Sequence, residues 1–258
     1  MNLLIWLAIL PGIIVGILIY KADKKEKEPK RELIKAFLLG IISVFITLFI
    51  SYILGIINIK MNSENWIEVF LYSFFGVSLI EEFSKWICSY LFLKNNKNYN
   101  YLFDGIVYAS FVSLGFATIE NILYTLSGGM VTGVIRAITT VPAHAFFGIF
   151  SGYYLSLSRR EKVDDNLQKK KLYLFYSLLV PFLLHGFYDF CLLTQNVVFF
   201  GIYIVFVIVL YSSSISRVKK MGTIDAPFNK RKINFCPNCG FKITGKFCSN
   251  CGRRIEED

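Results

Sequence analysis

The chain has 258 residues, 55% hydrophobic, 17% aromatic and only 18% charged, with a mean hydropathy of +0.52, whereas an ordinary soluble domain carries about 25% charged residues. The apolar residues gather in blocks of about 20 or more, which excludes a porin-type barrel, a disordered chain and a secreted disulfide scaffold. The net charge of +10 would suit a nucleic-acid partner. However, the basic residues cluster in alternate gaps between the apolar blocks, so they orient the chain in a lipid bilayer and no nucleic acid is expected.

Seven crossings are predicted in order: Leu3–Tyr20, Leu33–Ile57, Trp66–Leu93, Phe103–Leu126, Val131–Leu157, Leu172–Thr194 and Val197–Ile215. The first has no basic residues ahead of it and a basic cluster behind it, so it is a crossing helix and not a cleaved signal peptide. Pro11-Gly12 predicts a kink in it. The first gap holds Lys21, Lys24, Lys25, Lys27, Lys30 and Arg31, the second only Lys60, and the fifth Arg159, Arg160, Lys162 and Lys169 to Lys171. Basic loops stay cytoplasmic, which places the N-terminus outside and the C-terminus inside. The fold class is therefore all-α: a polytopic bundle of about seven transmembrane helices over residues 1–215. A linker at 216–233, with Gly222 and Pro227, and a small domain at 234–258 complete the chain.

The small domain holds Cys236-Pro237-Asn238-Cys239-Gly240 and Cys248-Ser249-Asn250-Cys251-Gly252. Each Cys-x2-Cys knuckle puts two thiolates on one side of a tight turn, and two knuckles complete a tetrahedral four-sulfur Zn2+ site. Cys236, Cys239, Cys248 and Cys251 are the expected ligands of a zinc ribbon. In the reducing cytosol disulfides do not persist, and a domain this small needs the metal to fold. Four thiolates leave no open position, so the ribbon is expected to be structural or an interaction module, with a cytosolic protein as its candidate partner, and not a catalytic centre. Cys88 and Cys191 lie alone in apolar segments and are expected to pack as small hydrophobes.

An ionisable group at the centre of a crossing helix costs about 2.5–3.5 kcal/mol, so each one demands a partner or a purpose. The third crossing contains Glu81, Glu82 and Lys85, the fourth Glu120 and Asn121, the fifth His144, and the sixth His185 and Asp189. At 1.5 Å per residue these groups fit a slab roughly 10 Å thick, somewhat outward of the midplane. Carboxylates and imidazoles aimed at one depth from four helices are components of water activation. A desolvated glutamate takes the proton, and histidines either stabilise an oxyanion or ligate a divalent metal. Glu81 and Glu82 lie about 100° apart on a helix, so one faces the cavity while the other pairs with Lys85 or a neighbouring helix. Gly148 and Gly152 predict close helix packing. Asp104 is expected to be an interfacial cap, and Arg136 to snorkel toward headgroups or to contact a substrate carboxylate.

Taken in order, Glu81-Glu82-x-x-Lys85, Phe116-x3-Glu120-Asn121, Pro142-x-His144 and His185-Gly186-x-x-Asp189 resemble the motifs of the PrsW family of intramembrane proteases. That family is related to the type II CAAX prenyl endopeptidases, with motifs Glu-Glu-x3-Arg, Phe-x3-His and His-x3-Asn. The resemblance covers about Leu3–Ile215 and leaves out the ribbon. It implies an intramembrane endopeptidase of the bacterial plasma membrane that cleaves a membrane-anchored regulatory protein, such as an anti-sigma factor, near its outer face. It favours Glu81 as base, with Glu82, Glu120, His144 and His185 in the catalytic set and Lys85, Asn121 and Asp189 in support. Glu120 and Asp189 stand where the CAAX enzymes have His and Asn, so prenyl specificity does not follow. Two other function classes fit a buried Glu/His/Asp cluster: a proton-coupled transporter, which should show repeats between halves, and a non-catalytic scaffold recruiting a partner through the ribbon.

Overall fold

A computed structural model describes residues 2–56, 59, 61–228, 236, 238–242 and 247–254. Its helices are α1 (Asn2–Ala22), α2 (Lys30–Ile53), α3 (Trp66–Leu71), α4 (Leu79–Asn95), α5 (Leu102–Ile138), α6 (Thr140–Val163), α7 (Leu167–Leu193) and α8 (Val197–Ile224). A π-helical segment, Tyr72–Ser78, joins α3 to α4, so Trp66–Asn95 is one interrupted rod. The described residues thus form an all-helical bundle of seven rods. Five stretches are long and apolar enough to cross a membrane, one of them, 102–163, holding α5 and α6 in succession. The rod α3–α4 is less apolar because Glu81, Glu82 and Lys85 lie inside it.

The middle of the bundle is α5, packed by α6, α2 and α1. Over an 18-residue apolar window, 89% of the residues are buried in the α5–α6 stretch, against 22% in α1 and 17% in α8. The outer rods therefore present Trp6, Phe45, Phe49, Val197 and Val205 to the surroundings, as lipid-facing side chains do. Two close approaches set the central packing. A methyl group on Gly40 of α2 would collide with the Val112 carbonyl of α5, and one on Gly152 of α6 with the Gly105 carbonyl. In lipid, small residues gain by letting backbones approach so closely.

Several boundaries differ from those predicted, most of all around the fifth crossing and at the end of α8. The predicted fifth crossing begins at Val131, but the chain turns back at Gly129, whose φ of 78° favours glycine. Residues 130–138 then fold back against the end of the bundle near the start of α1, where Gly133 lies close to Leu7 and Thr125. Accordingly α6 starts at Thr140, and His144 sits near its beginning, not at its middle. At the far end, α8 runs nine residues past Ile215 to Ile224. Residues Asp225–Phe228 dock as a strap on the start of α5, with Leu102 N donating to the Ala226 carbonyl at 3.3 Å and Phe228 N to the Asn100 carbonyl at 2.8 Å. The stretch predicted as linker, 216–233, is thus helical and docked in its first part, while 229–233 lie outside the described residues.

Candidate active site

The glutamates of α4 are aimed by what precedes them. The wider π turn re-registers the rod immediately before Glu81, as π-bulges at functional sites do. Ser78 Oγ donates to the Phe182 carbonyl of α7 at 2.7 Å, and Gly186 leaves room for the Phe74 ring. These contacts hold α4 against α7 and bring Glu81 and Glu82 to His185.

Glu82 is fully engaged. Its Oε1 accepts from Lys85 Nζ at 2.5 Å and lies 2.8 Å from His185 Nδ1, with Glu82 and Lys85 both buried. Glu81 is not engaged in this way. Its Oε2 is buried without a hydrogen-bond partner among the described residues, 3.9 Å from His185 Nε2 and 4.0 Å from Lys85 Nζ. Asp189 Oδ2 approaches His185 Nε2 at 3.3 Å, and Phe147 stacks on the His185 ring at 5.0 Å.

The second half of the cluster is built around His144. Its Nδ1 lies 3.2 Å from Lys85 Nζ. An ammonium only donates, so Nδ1 accepts and Nε2 carries the hydrogen that goes to Glu120 Oε2 at 2.8 Å. Glu120 also meets Arg136 at 3.0 Å. Asn121 accepts from Arg136 Nε at 3.2 Å and donates to the Ala8 carbonyl of α1 at 2.9 Å. The structure thus brings Glu81, Glu82, Lys85, Glu120, Asn121, His144, His185 and Asp189 into one network. Arg136 joins them, contrary to the snorkelling expectation, because the reversal at Gly129 turns it inward over the Tyr124 ring at 4.1 Å. The Gly128-Gly129 pair is the sequence signal for that reversal.

Glu81, His144 and His185 each offer one ligand atom, all within 4.8 Å of one another and all buried. Two imidazoles and a carboxylate are a donor set that suits a divalent metal with an open fourth position. The unpartnered Glu81 Oε2 is an observation a metal would explain. Each imidazole has both nitrogens in contact here, so a metal would take the place of one contact on each, Lys85 or Glu120 on His144 and Asp189 on His185; with that exchange the residues fit a metal.

Asp104 caps α5 as expected, accepting the amides of Asn100 at 2.8 Å and Tyr101 at 2.6 Å. Cys88 and Cys191 are buried free thiols. In the tail, residues 234, 235, 237, 243–246 and 255–258 lie outside the described residues, but the four knuckle cysteines gather within 4.8 Å of one another. Gly240 and Gly252 turn each knuckle at φ of 71° and 70°. The Arg253 amide, foremost among several hydrogen bonds, lowers the Cys251 thiol to about 6, which favours the thiolate that metals bind.

With this geometry in place, comparison with known proteins decides the class. The family model described as PrsW family intramembrane metalloprotease matches residues 28–213. This chain belongs to the PrsW family. It is 36% identical to the "Protease PrsW" of Geobacillus kaustophilus over 84% of this chain and 91% of that protein. It is 40% identical to that of Oceanobacillus iheyensis over 71% and 80%, and 34% identical to that of Bacillus subtilis over 84% and 94%. No solved structure matches. The protein is a multi-pass bacterial membrane protease acting on membrane-protein substrates, and the transporter and scaffold readings are set aside. The matched region ends before the ribbon.

Proposed function

We propose that this PrsW-family protease hydrolyses its substrate at the Glu81–His144–His185 cluster, with the other five residues and Arg136 in support. The observation that carries this is the convergence of three buried donors, one with an unpartnered oxygen, from α4, α6 and α7. Glu81, His144 and His185 would hold the metal. When bound, it supplies Lewis-acid polarisation of the scissile carbonyl and makes water acidic enough to ionise near neutrality. Glu120 is the most accessible of the three glutamates, at 19% side-chain exposure against 11% for Glu81 and 3% for Glu82. It takes the proton of the attacking water and returns it to the leaving amine. Arg136 holds its carboxylate, and Glu82 fixes the His185 ring through Nδ1, as an outer-shell carboxylate does for a metal-site histidine, which leaves Nε2, now facing Asp189, as the atom that would take the metal.

A second reading rests on Lys85. Its ammonium stands 2.5 Å from Glu82 and 3.2 Å from His144, where it can supply positive charge itself, with Glu81 as the base. Metal content separates the two. The metal reading expects two tightly bound transition metals per chain, one in the Cys236–Cys239–Cys248–Cys251 site, and loss of one in His185→Ala. A single metal in both proteins supports Glu81 as base.

The N-terminus lies outside and the C-terminus in the cytoplasm, a reading supported by basic gaps one and five. The substrate is a membrane-anchored regulatory protein of the anti-sigma-factor kind, cut near its outer face, an assignment supported by family membership. The ribbon ion is Zn2+, and its exposed knuckles serve a cytosolic protein partner.

A further inference from the structure

A second group of carboxylates lies far from the proteolytic cluster. Asp104 precedes Glu120 by sixteen residues on α5, about 24 Å along the helix. Asp23 and Glu28, in the loop between α1 and α2, meet it there. Each of the three offers one carboxylate oxygen, these oxygens lie within 4.8 Å of one another, and all three residues are buried. Donors hold two of them: the Asn100 and Tyr101 amides on Asp104 Oδ2 and the Tyr108 hydroxyl on Glu28 Oε2. Asp23 is 2% exposed, and its Oδ2 has no hydrogen-bond partner among the described residues.

Lysine does not complete the group. Among the described residues no ammonium or guanidinium lies within salt-bridge distance of the three carboxylates. Lys27, the nearest candidate, donates to the backbone carbonyls of Tyr20 at 2.7 Å, of Lys21 at 3.3 Å and of Asp23, closing the end of α1. The Lys27 charge lies close enough to act on Asp23 but forms no ion pair with any of the three, and burying three carboxylates with one distant counter-charge is costly, so protons or a cation must offset the rest. The donor set is all oxygen, which selects a hard cation over zinc or copper.

We propose that Asp23, Glu28 and Asp104 bind one hard divalent cation, Mg2+ or Ca2+, that fastens the first loop to the head of α5. The strap after α8 lies beside it, since Asp225 Oδ1 accepts the Phe103 amide at 3.0 Å. Burial pushes Asp23 upward and Glu28 to about 6, which is the strain the cation relieves.

The test titrates purified, chelator-treated, detergent-solubilised full-length protein with Ca2+ and with Mg2+ at neutral pH. One saturable site per chain is expected, with a melting temperature raised by several degrees at about a hundredfold excess over Kd. Asp23→Asn and Glu28→Gln should abolish the uptake and raise the melting temperature of the cation-free protein, while His185→Ala keeps the uptake. No saturable uptake by the wild type would mean that protons hold the cluster, and uptake lost in His185→Ala but kept in Asp23→Asn would place the cation at the proteolytic site. Either result overturns the proposal. If the acid variants do not fold, Tb3+ luminescence excited through tyrosine replaces them. It should dim in Tyr108→Phe, and unchanged emission would equally overturn the site.

Discussion

Glu81 and Glu82 are neighbours on α4 with different surroundings. Glu82 is paired with Lys85 and His185, while an oxygen of Glu81 has no hydrogen-bond partner among the described residues. Their adjacency in the sequence implies different directions, but only the packed ring of His185 shows which one is paired. Glu120→Gln should keep the metal and lower cleavage about 10²–10⁴-fold, the usual worth of general acid–base help. Retained metal with normal cleavage would remove Glu120 from that role. Arg136 acts through Glu120, so Arg136→Ala should slow turnover about 10–100-fold at unchanged KM, with partial rescue by Arg136→Lys. A raised KM alone would make it a substrate contact instead. No local signal marks Arg136 as a member of the site, because its contact depends on the turn at Gly129.

Glu28 gives a pH signature outside the bilayer. Burial is the main cause that lifts it from 4.5 to about 6, with Asp23 and Glu26 adding to the rise and hydrogen bonds from Asp104 and Tyr108 opposing it. The folded state therefore holds this proton more tightly than the unfolded chain. Its contribution to stability is complete below pH 4.5 and is lost as pH rises through about 6. The melting temperature of chelator-treated protein should fall across that window, and Glu28→Gln should flatten the fall. An equally steep fall in the variant would assign it to other groups.

Helices are legible in the sequence wherever apolar blocks are bounded by charge, which locates α1, α2 and α7 closely. The misplaced boundaries have specific causes. Val131–Ile138 is apolar enough to pass for the start of a crossing, although it is a folded-back segment. The end of α8 is hidden by Ser212 to Ser214, Arg217, Lys219 and Lys220, which lower its hydropathy without ending its hydrogen bonding. The π segment has no sequence signature here and arises from packing against α7. Packing also sets opposite responses to one substitution. Gly152→Ala should lower the melting temperature by several degrees, since overpacking costs about 1–3 kcal/mol. Gly201→Ala, with nothing within 4 Å of the added carbon, should leave it unchanged or slightly raised. Equal responses would contradict the tight α5–α6 contact. In the tail, Cys239→Ser should make the ribbon protease-sensitive, as three ligands hold zinc weakly. Unchanged proteolysis would show a fold independent of the metal.

At the scale of the whole molecule, orientation follows from charge in the gaps. A cysteine placed at Asn62 should react with an impermeant thiol reagent in intact cells, and one at Asp165 should not. The reverse labelling would invert the bundle and put the ribbon outside. The central claim is that groups from four helices form one hydrolytic site, and cleavage measures it directly. Wild type, Glu81→Gln and His185→Ala, each shown to be folded and inserted, would be reconstituted in liposomes with a membrane-anchored reporter substrate. Both variants should lose at least about 10²-fold in cleavage rate. Cleavage near the wild-type rate by both would contradict the assignment of the Glu81–His144–His185 cluster as the active site.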